Sequence, residues 1–519
     1  MPSSSKVFHQ AVGHSAYSAL GTVSVFIVNF LFAGLTIRYL GNDQAGFFIV
    51  LSSIFALSQV AGGLGLTTPA TKRATELFAT GEVATVRRLI GSVLLINSLI
   101  GVSVVVGCLV FFPTIFGWSR LAESIRSDAF AATMLMAGSF FADQAAGSLR
   151  LLYAACLRQD LKNYTMSAMG LLGGVVRIVW LAFCPTMPAA AAAAFAVSAA
   201  WLILDAWLVR RLLGRAIWPD WCRSEIKPLL GFSLWELFNS AGICAGNTMD
   251  RFILTSYMGS GSLPFYAIAQ RFFQQIHAAL AQQFSFVFPL LVAAGSDVQA
   301  NISLIQDRAR WFIATLGALV YASLFLAGPT VVALLISPEF AERARWPVYL
   351  VSIQGLAFSF VITNYFLHYS LGNGAINALF NVGNYILAIG LALWLIPRYS
   401  YLGASIAQIS VVLATFVFLR SSRKVLGVEA TGMMYWSAYA SPLVLFFVAA
   451  GVGRGIEIGC GPSIASATLA VVAGISAGLF SLYVLERTIF RSYHRVQMVQ
   501  AAWDVIMRRV GARRAAVLP

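Results

Sequence analysis

Charge is what this sequence has least of. Only 11% of its 519 residues are Asp, Glu, Lys or Arg, where a soluble domain carries about a quarter, and 59% are hydrophobic. That balance excludes a soluble globule. Cysteine is also scarce: six, at 108, 156, 184, 222, 244 and 460, with no C-x-x-C spacing, so neither a disulfide framework nor a metal site is expected. There is no Walker A motif, no H-E-x-x-H and no D-x-D pair, which leaves phosphoryl transfer and zinc chemistry without their signatures. A membrane glycan polymerase would need a large loop to hold its acceptor, and the longest on the side opposite the termini covers about 113 to 128. Catalysis is discounted, and no cofactor is expected.

What the chain does have is apolar sequence in blocks of membrane-crossing length, about 20 residues each. Fourteen helices are predicted, near 17–40, 44–66, 89–112, 129–156, 163–184, 188–209, 228–256, 263–293, 311–337, 346–371, 375–396, 402–419, 433–453 and 463–485. The fold class is an all-α polytopic membrane protein: an N-terminal lobe at 1–209, a basic linker at 210–227, a C-terminal lobe at 228–425, two extra helices at 426–486 and a basic amphipathic tail at 487–519. The net charge of +15 then has a topological cause and does not call for nucleic acid. Twenty-four Lys and Arg fall on the side that holds both termini, against six on the other, Arg120, Arg126, Arg343, Arg345, Arg398 and Arg454. The positive-inside rule makes the richer side cytoplasmic. The first apolar stretch lacks a cleavage pattern and is expected to remain as helix 1. Residues 71–89, basic and amphipathic, read as a surface helix against anionic headgroups, and the last two spans, without charge until Glu486, as a lipid-facing pair.

Five basic residues lie within or at the ends of spans: Arg38, Arg150, Arg177, Arg251 and Arg271. A charge at the bilayer centre costs about 2.5 to 3.5 kcal/mol even on the lenient insertion scale, so each needs a partner or a polar cavity. Arg38 can snorkel from its helix end. Arg150 stands seven residues beyond Asp143 on one helix face, and Arg251 follows Asp250, so both have a carboxylate to pair with. Arg177 and Arg271 have none in their own helices, and one anion would account for both. Arg177 follows a run of small residues, Gly170, Gly173 and Gly174, which allows close helix contact.

The carboxylates Asp143, Asp205, Glu236 and Asp250 carry two readings: they neutralise arginines, or they bind a coupling proton or sodium ion. In the eighth span Arg271, Gln275 and Gln282 share a face with Gln274 beside it, and Asn377, Asn381 and Asn384 form a similar stripe in the eleventh. Such stripes serve either as contacts between helices or as cavity lining.

The two lobes also repeat each other. At a constant offset of 218, Tyr39-Leu40-Gly41 aligns with Tyr257-Met258-Gly259, and Gly46-Phe47-Phe48 with Pro264-Phe265-Tyr266. Six helices per lobe is an even number, so both would run in the same sense about an axis along the membrane normal.

Arg38-Tyr39-Leu40-Gly41 followed by Gly46-Phe47, together with Asp250-Arg251, Gly259 and Tyr266 followed by Ala269, resembles the R-x-L-G…G-x-[FY] and D-R…G…[VL]-x-x-Y-x-x-A patterns of polysaccharide flippases. These belong to the multidrug, oligosaccharidyl-lipid and polysaccharide exporter superfamily. Pro264 departs from the aliphatic residue usual there. The resemblance implies two six-helix lobes around a cationic cavity, moving an undecaprenyl-pyrophosphate-linked oligosaccharide across the bacterial inner membrane by alternating access, for O-antigen, capsule or exopolysaccharide. Arg177 and Arg271, supported by Arg150 and Arg251, would hold the pyrophosphate, and Gln274, Gln275, Gln282, Asn377 and Asn381 would meet the sugar. The implied partners are the lipid-linked oligosaccharide, the bilayer and a polymerase or other glycan-assembly membrane protein. The alternatives are an ion-coupled antiporter for small amphiphiles, worked by Asp143 and Glu236, and a scaffold for glycan assembly in which every in-span charge is dispensable.

Overall fold

A computed structural model describes residues 4–63, 67–156, 159–226, 242, 244, 246, 248–283, 299–370, 374–425, 432–460 and 463–490. Backbone groups cannot be left unpaired in hydrocarbon, and among the described residues the chain answers with helices and no strand. They are α1 (Ser4–Gly63), α2 (Thr67–Ala79), α3 (Val83–Ser119), α4 (Arg126–Ala155), α5 (Gln159–Phe183), α6 (Met187–Leu213) and a single turn, α7 (Arg223–Ile226). After them come α8 (248–258), α9 (Leu263–Gln283), α10 (Gln299–Leu335), α11 (Pro338–Ser370), α12 (Gly374–Ala407), α13 (Ser410–Val425), α14 (Gly432–Cys460) and α15 (Ile464–Thr488).

Nine candidate spans among the described residues are long and apolar enough to cross a membrane. The protein is an all-α polytopic membrane protein. Two of those spans, Ser24–Gln59 and Ala375–Arg423, each hold two of the predicted crossings. The fourth and eighth predicted crossings form as α4 and α9 but are not among the nine: they carry Asp143 and Arg150, and Arg271 with its glutamines. Most of the seventh lies outside the described residues, and so does the tail from 491 onward. One reading is corrected. α14 runs on to Cys460, so the next-to-last helix contains a charged pair, Arg454 with Glu457 at 2.5 Å, and is not charge-free.

The predicted repeat has a backbone counterpart. Gly41, inside α1, has φ 76° and ψ 173°, and Gly259, 218 residues on, has φ 78° and ψ −179°. Only glycine occupies that region readily. The two turns also touch: Ser260 Oγ donates to the Asp43 carbonyl at 3.0 Å, and a Cβ on Gly46 would run into the Ser260 carbonyl oxygen. Gly41→Ala, which has open space but the wrong φ, should cost about 1 to 3 kcal/mol from strain alone. Gly46→Ala should cost about the same from overpacking. Gly107, with no neighbour within 4 Å, is the control, and Gly107→Ala should be neutral or stabilising. Thermal unfolding of the purified chain in detergent reads all three.

By contacts the chain groups into one unit of residues 1–275, 332–347 and 381–410, and another of 276–331, 348–380 and 411–519. In the first, α2, α3, α4 and α6 close a core around Leu89, Leu152 and Tyr153 that also takes in Val209 and Ile226. A second core joins α1, α3, α4 and α6 around Phe47, Leu51, Ala132 and Ala190. The linker read as 210–227 is fastened down over its described part. The Asp220 amide donates to the Gly91 carbonyl at 3.2 Å, the Cys222 amide to Ser92 Oγ at 2.9 Å, and Arg73 of α2 pairs with Glu225 at 3.2 Å. α2 itself buries Ala70, Ala74 and Leu77 and exposes Lys72 and Glu76, as a surface helix should.

The second unit has its own polar fastenings. Trp311 Nε1 donates to Ser441 Oγ at 3.2 Å, and Ser441 Oγ donates to Glu486 Oε1 at 2.5 Å, tying α10, α14 and α15 together. Asn364 Nδ2 donates to the Tyr439 hydroxyl at 2.9 Å. Each of these groups would be costly to leave unpaired in a low-dielectric interior.

Candidate functional site: a cationic cavity in the first unit

The small residues behind Arg177 set its position. Built Cβ atoms on Gly170 and Gly173 would lie 3.0 Å from Val25 of α1 and 2.6 Å from Val197 of α6, and one on Gly174 would strike Val28. α5 therefore lies as close to α1 and α6 as backbone allows. Three residues further on, Arg177 enters a cavity of about 320 Å³. Arg271, from α9, lines the same cavity, and so does Asp143 from α4. Phe32, Phe48, Phe55 and Phe140 supply apolar wall, and Asn29, Thr36, Ser52, Gln59 and Ser139 supply polar groups.

Two guanidiniums therefore face one carboxylate. Asp143 is hydrogen-bonded by Ser198 and lies within electrostatic reach of Arg177, and more weakly of Arg150. Ser198 is in turn 2.8 Å from Ser139. Arg177 Nε is buried without a hydrogen-bond partner, and Asp143 Oδ1 likewise. Among the described residues neither Arg177 nor Arg271 has a salt bridge. The site carries an unspent cation and unspent donors, which is what an anion-binding cavity requires.

The other sequence candidates are placed differently. Arg150 does not pair with Asp143. Its Nε donates to Asp205 Oδ2 at 2.8 Å, Tyr153 donates to Asp205 Oδ1 at 2.8 Å, and the guanidinium covers the Trp201 ring at 4.4 Å. The physical reason is that seven residues along one helix are about 10 Å of rise, whereas Asp205 arrives sideways from α6. Asp250 and Arg251 are buried. Asp250 accepts from the Tyr266 hydroxyl, from Gln408 Nε2 at 3.0 Å and from the Arg251 amide at 2.7 Å, while Arg251 Nη1 donates to Ser53 Oγ at 3.2 Å. Arg251 lies within electrostatic reach of Arg271. At the repeat offset it corresponds to Ala33, and Arg271 to Ser53. The scaffold is duplicated, but the charge is not.

Gln274 and Gln275 are half-buried and are not among the cavity residues, and Gln282 is exposed. Asn377 is fully buried and donates to the Tyr365 carbonyl at 2.9 Å. Asn384 accepts from Ser410 at 3.3 Å, and Asn381 is engaged as well. Asn377 and Asn384 thus make contacts between helices. Glu236 lies outside the described residues.

The family model described as polysaccharide biosynthesis protein matches residues 77–345, just over half the chain. The chain belongs to the polysaccharide biosynthesis protein family. Its fold resembles that of the lipid II flippase MurJ in an inward closed conformation, with TM-score 0.72 and 13% identity over 92% of this chain and 100% of that one. It also resembles an inward-facing MATE multidrug resistance transporter of the MOP superfamily, with TM-score 0.64 and 14% identity over 80% of this chain and 99% of that one. A third likeness is to a MOP superfamily transporter from Pyrococcus furiosus, with TM-score 0.57 and 14% identity over 79% of this chain and 94% of that one. A search of curated sequences returns no match.

Sequence reading of this family member missed the polar cavity residues on α1. A signal was present: Asn29 and Thr36 are seven residues apart, as are Ser52 and Gln59, which puts each pair on one face two turns apart.

Proposed function

We propose that the protein flips a lipid-linked oligosaccharide, joined to its polyprenyl carrier through pyrophosphate, from the inner to the outer leaflet of the bacterial inner membrane by alternating access. The observation that carries this reading is that, among the described residues, Arg177 and Arg271, from different helices and without salt-bridge partners, line one cavity against the single carboxylate of Asp143. Arginine suits pyrophosphate because its planar fork pairs bidentately and stays charged when desolvated. Membership of a polysaccharide biosynthesis family and a fold shared with a lipid II flippase support the same substrate class. Both termini are cytoplasmic in this reading, on the strength of the Lys and Arg bias. The protein needs no cofactor and acts alongside a polymerase or other glycan-assembly membrane protein.

Asp143, with one oxygen unpaired in the same cavity, supports a second reading: an antiporter for small amphiphiles driven by a proton or sodium ion bound there. Deletion of the gene separates the two. Accumulation of a lipid-linked saccharide with loss of capsule or O-antigen is the expected result. Sensitivity to toxic cations with normal surface glycan would favour the antiporter.

A further inference from the structure

A second cavity, of about 270 Å³, adjoins the first, and the two share Gln59 and Asp143 as lining residues. Its walls come from α1, α3, α4 and α6, with Asn97, Gln144, Ser148 and Trp201 added to the shared pair. Arg150 is on the wall too but is held by Asp205. Four polar atoms of this wall are buried with no hydrogen-bond partner: Asn97 Oδ1, Asp143 Oδ1, Gln144 Nε2 and Trp201 Nε1. Asn97 and Gln144 are only 5% and 6% exposed. Asn97 is fixed from behind, since its Nδ2 donates to Ser148 Oγ at 2.7 Å and that hydroxyl donates to the Gln144 carbonyl at 3.0 Å.

We infer that this cavity is a monosaccharide subsite, which takes the sugar next to the pyrophosphate held at Arg177 and Arg271. The inference rests on the flippase reading above. The four unpaired atoms are two acceptors, Asn97 Oδ1 and Asp143 Oδ1, and two donors, the Gln144 amide and the Trp201 indole. A metal cation would leave both donors unpaired, and an anion would face both acceptors. A sugar hydroxyl donates and accepts at once and satisfies both kinds. The volume equals the liquid share of about nine waters, far more than one bridging water fills and the size class of a single sugar ring. Because Asp143 borders both cavities, a ligand whose diphosphate reaches the arginines carries its first sugar into this one.

The test uses the full chain purified in detergent. The probes are radiolabelled undecaprenyl diphosphate and its glucosyl, galactosyl and N-acetylglucosaminyl forms, measured by equilibrium binding. At least one sugar-bearing lipid should bind about tenfold tighter than the bare diphosphate, the ratio given by about 1.4 kcal/mol of added hydrogen bonding. Trp201→Phe, which keeps an aromatic ring against Arg150 and removes the N–H along with part of the indole, and Gln144→Leu should each erase most of that ratio and leave bare-lipid binding unchanged. If Gln144→Leu loses bare-lipid binding as well, Trp201→Phe decides. No gain from any sugar, or a gain that survives Trp201→Phe, overturns the subsite while Arg271-dependent binding of the bare lipid keeps the flippase reading intact. Bare-lipid binding that is absent or indifferent to Arg271→Ala overturns the flippase reading itself.

Discussion

An Arg271→Ala variant is expected to lose transport while still reaching the membrane in normal amount. A hydrogen bond to a charged group contributes about 1.5 to 3 kcal/mol, and a bidentate guanidinium makes two to a phosphate. Losing it should weaken the substrate complex by roughly 100-fold or more. Arg177→Ala should behave the same way. Because both side chains would hold one ligand group, the double variant should fall short of the sum of the singles. Arg271→Lys keeps the charge but not the fork, so it should recover part of the activity. Surface glycan measured against membrane-inserted protein is the readout, and normal glycan in Arg271→Ala would remove this residue from the site.

The other large effect concerns stability. Asp205 is fully buried and takes both the Arg150 guanidinium and the Tyr153 hydroxyl. Asp205→Ala leaves Arg150 without its counter-ion next to Trp201, and breaking a buried pair from one side costs about 3 to 5 kcal/mol. Removing both partners is far milder, so Asp205→Ala combined with Arg150→Met should regain much of the loss in detergent unfolding. The double variant also tests the role of the pair. A structural ion pair predicts restored transport once folding is restored, whereas an ion-coupling carboxylate at 205 predicts a stable but inactive protein.

Sequence reasoning reached the parts of this molecule that depend on local chemistry. The turn at Gly41 and its copy at Gly259 were legible because a backbone region that only glycine tolerates leaves a mark at a fixed offset. Arg177 and Arg271 were legible as a pair because each is a cation in an apolar helix with no carboxylate at helical spacing. What could not be read is which helix stands beside which. Arg150 was expected to use Asp143 and instead uses Asp205, 55 residues away. The glutamines of α9 looked like cavity lining, but apart from its two arginines the polar wall comes mainly from α1, α3 and α4, where Asn29, Ser52 and Asn97 stand inside long apolar runs. The charged pair near the end of α14 was missed because hydropathy falls off before the helix does.

The fastening of residues 214–226 onto α3 bears on the order in which the molecule is made. Among the described residues the core around Leu89 and Tyr153 draws on nothing beyond Ile226, so it can close while the ribosome is still translating the second lobe. Arg271 comes later and completes a wall whose other residues, apart from Ala267 and Ile268 beside it, are already in the membrane. Charge enters the cavity in two instalments, Asp143 and Arg177 first and the surplus cation last. Until Arg271 is inserted, the nascent lobe holds a balanced pair that hydrocarbon tolerates far better than a lone guanidinium.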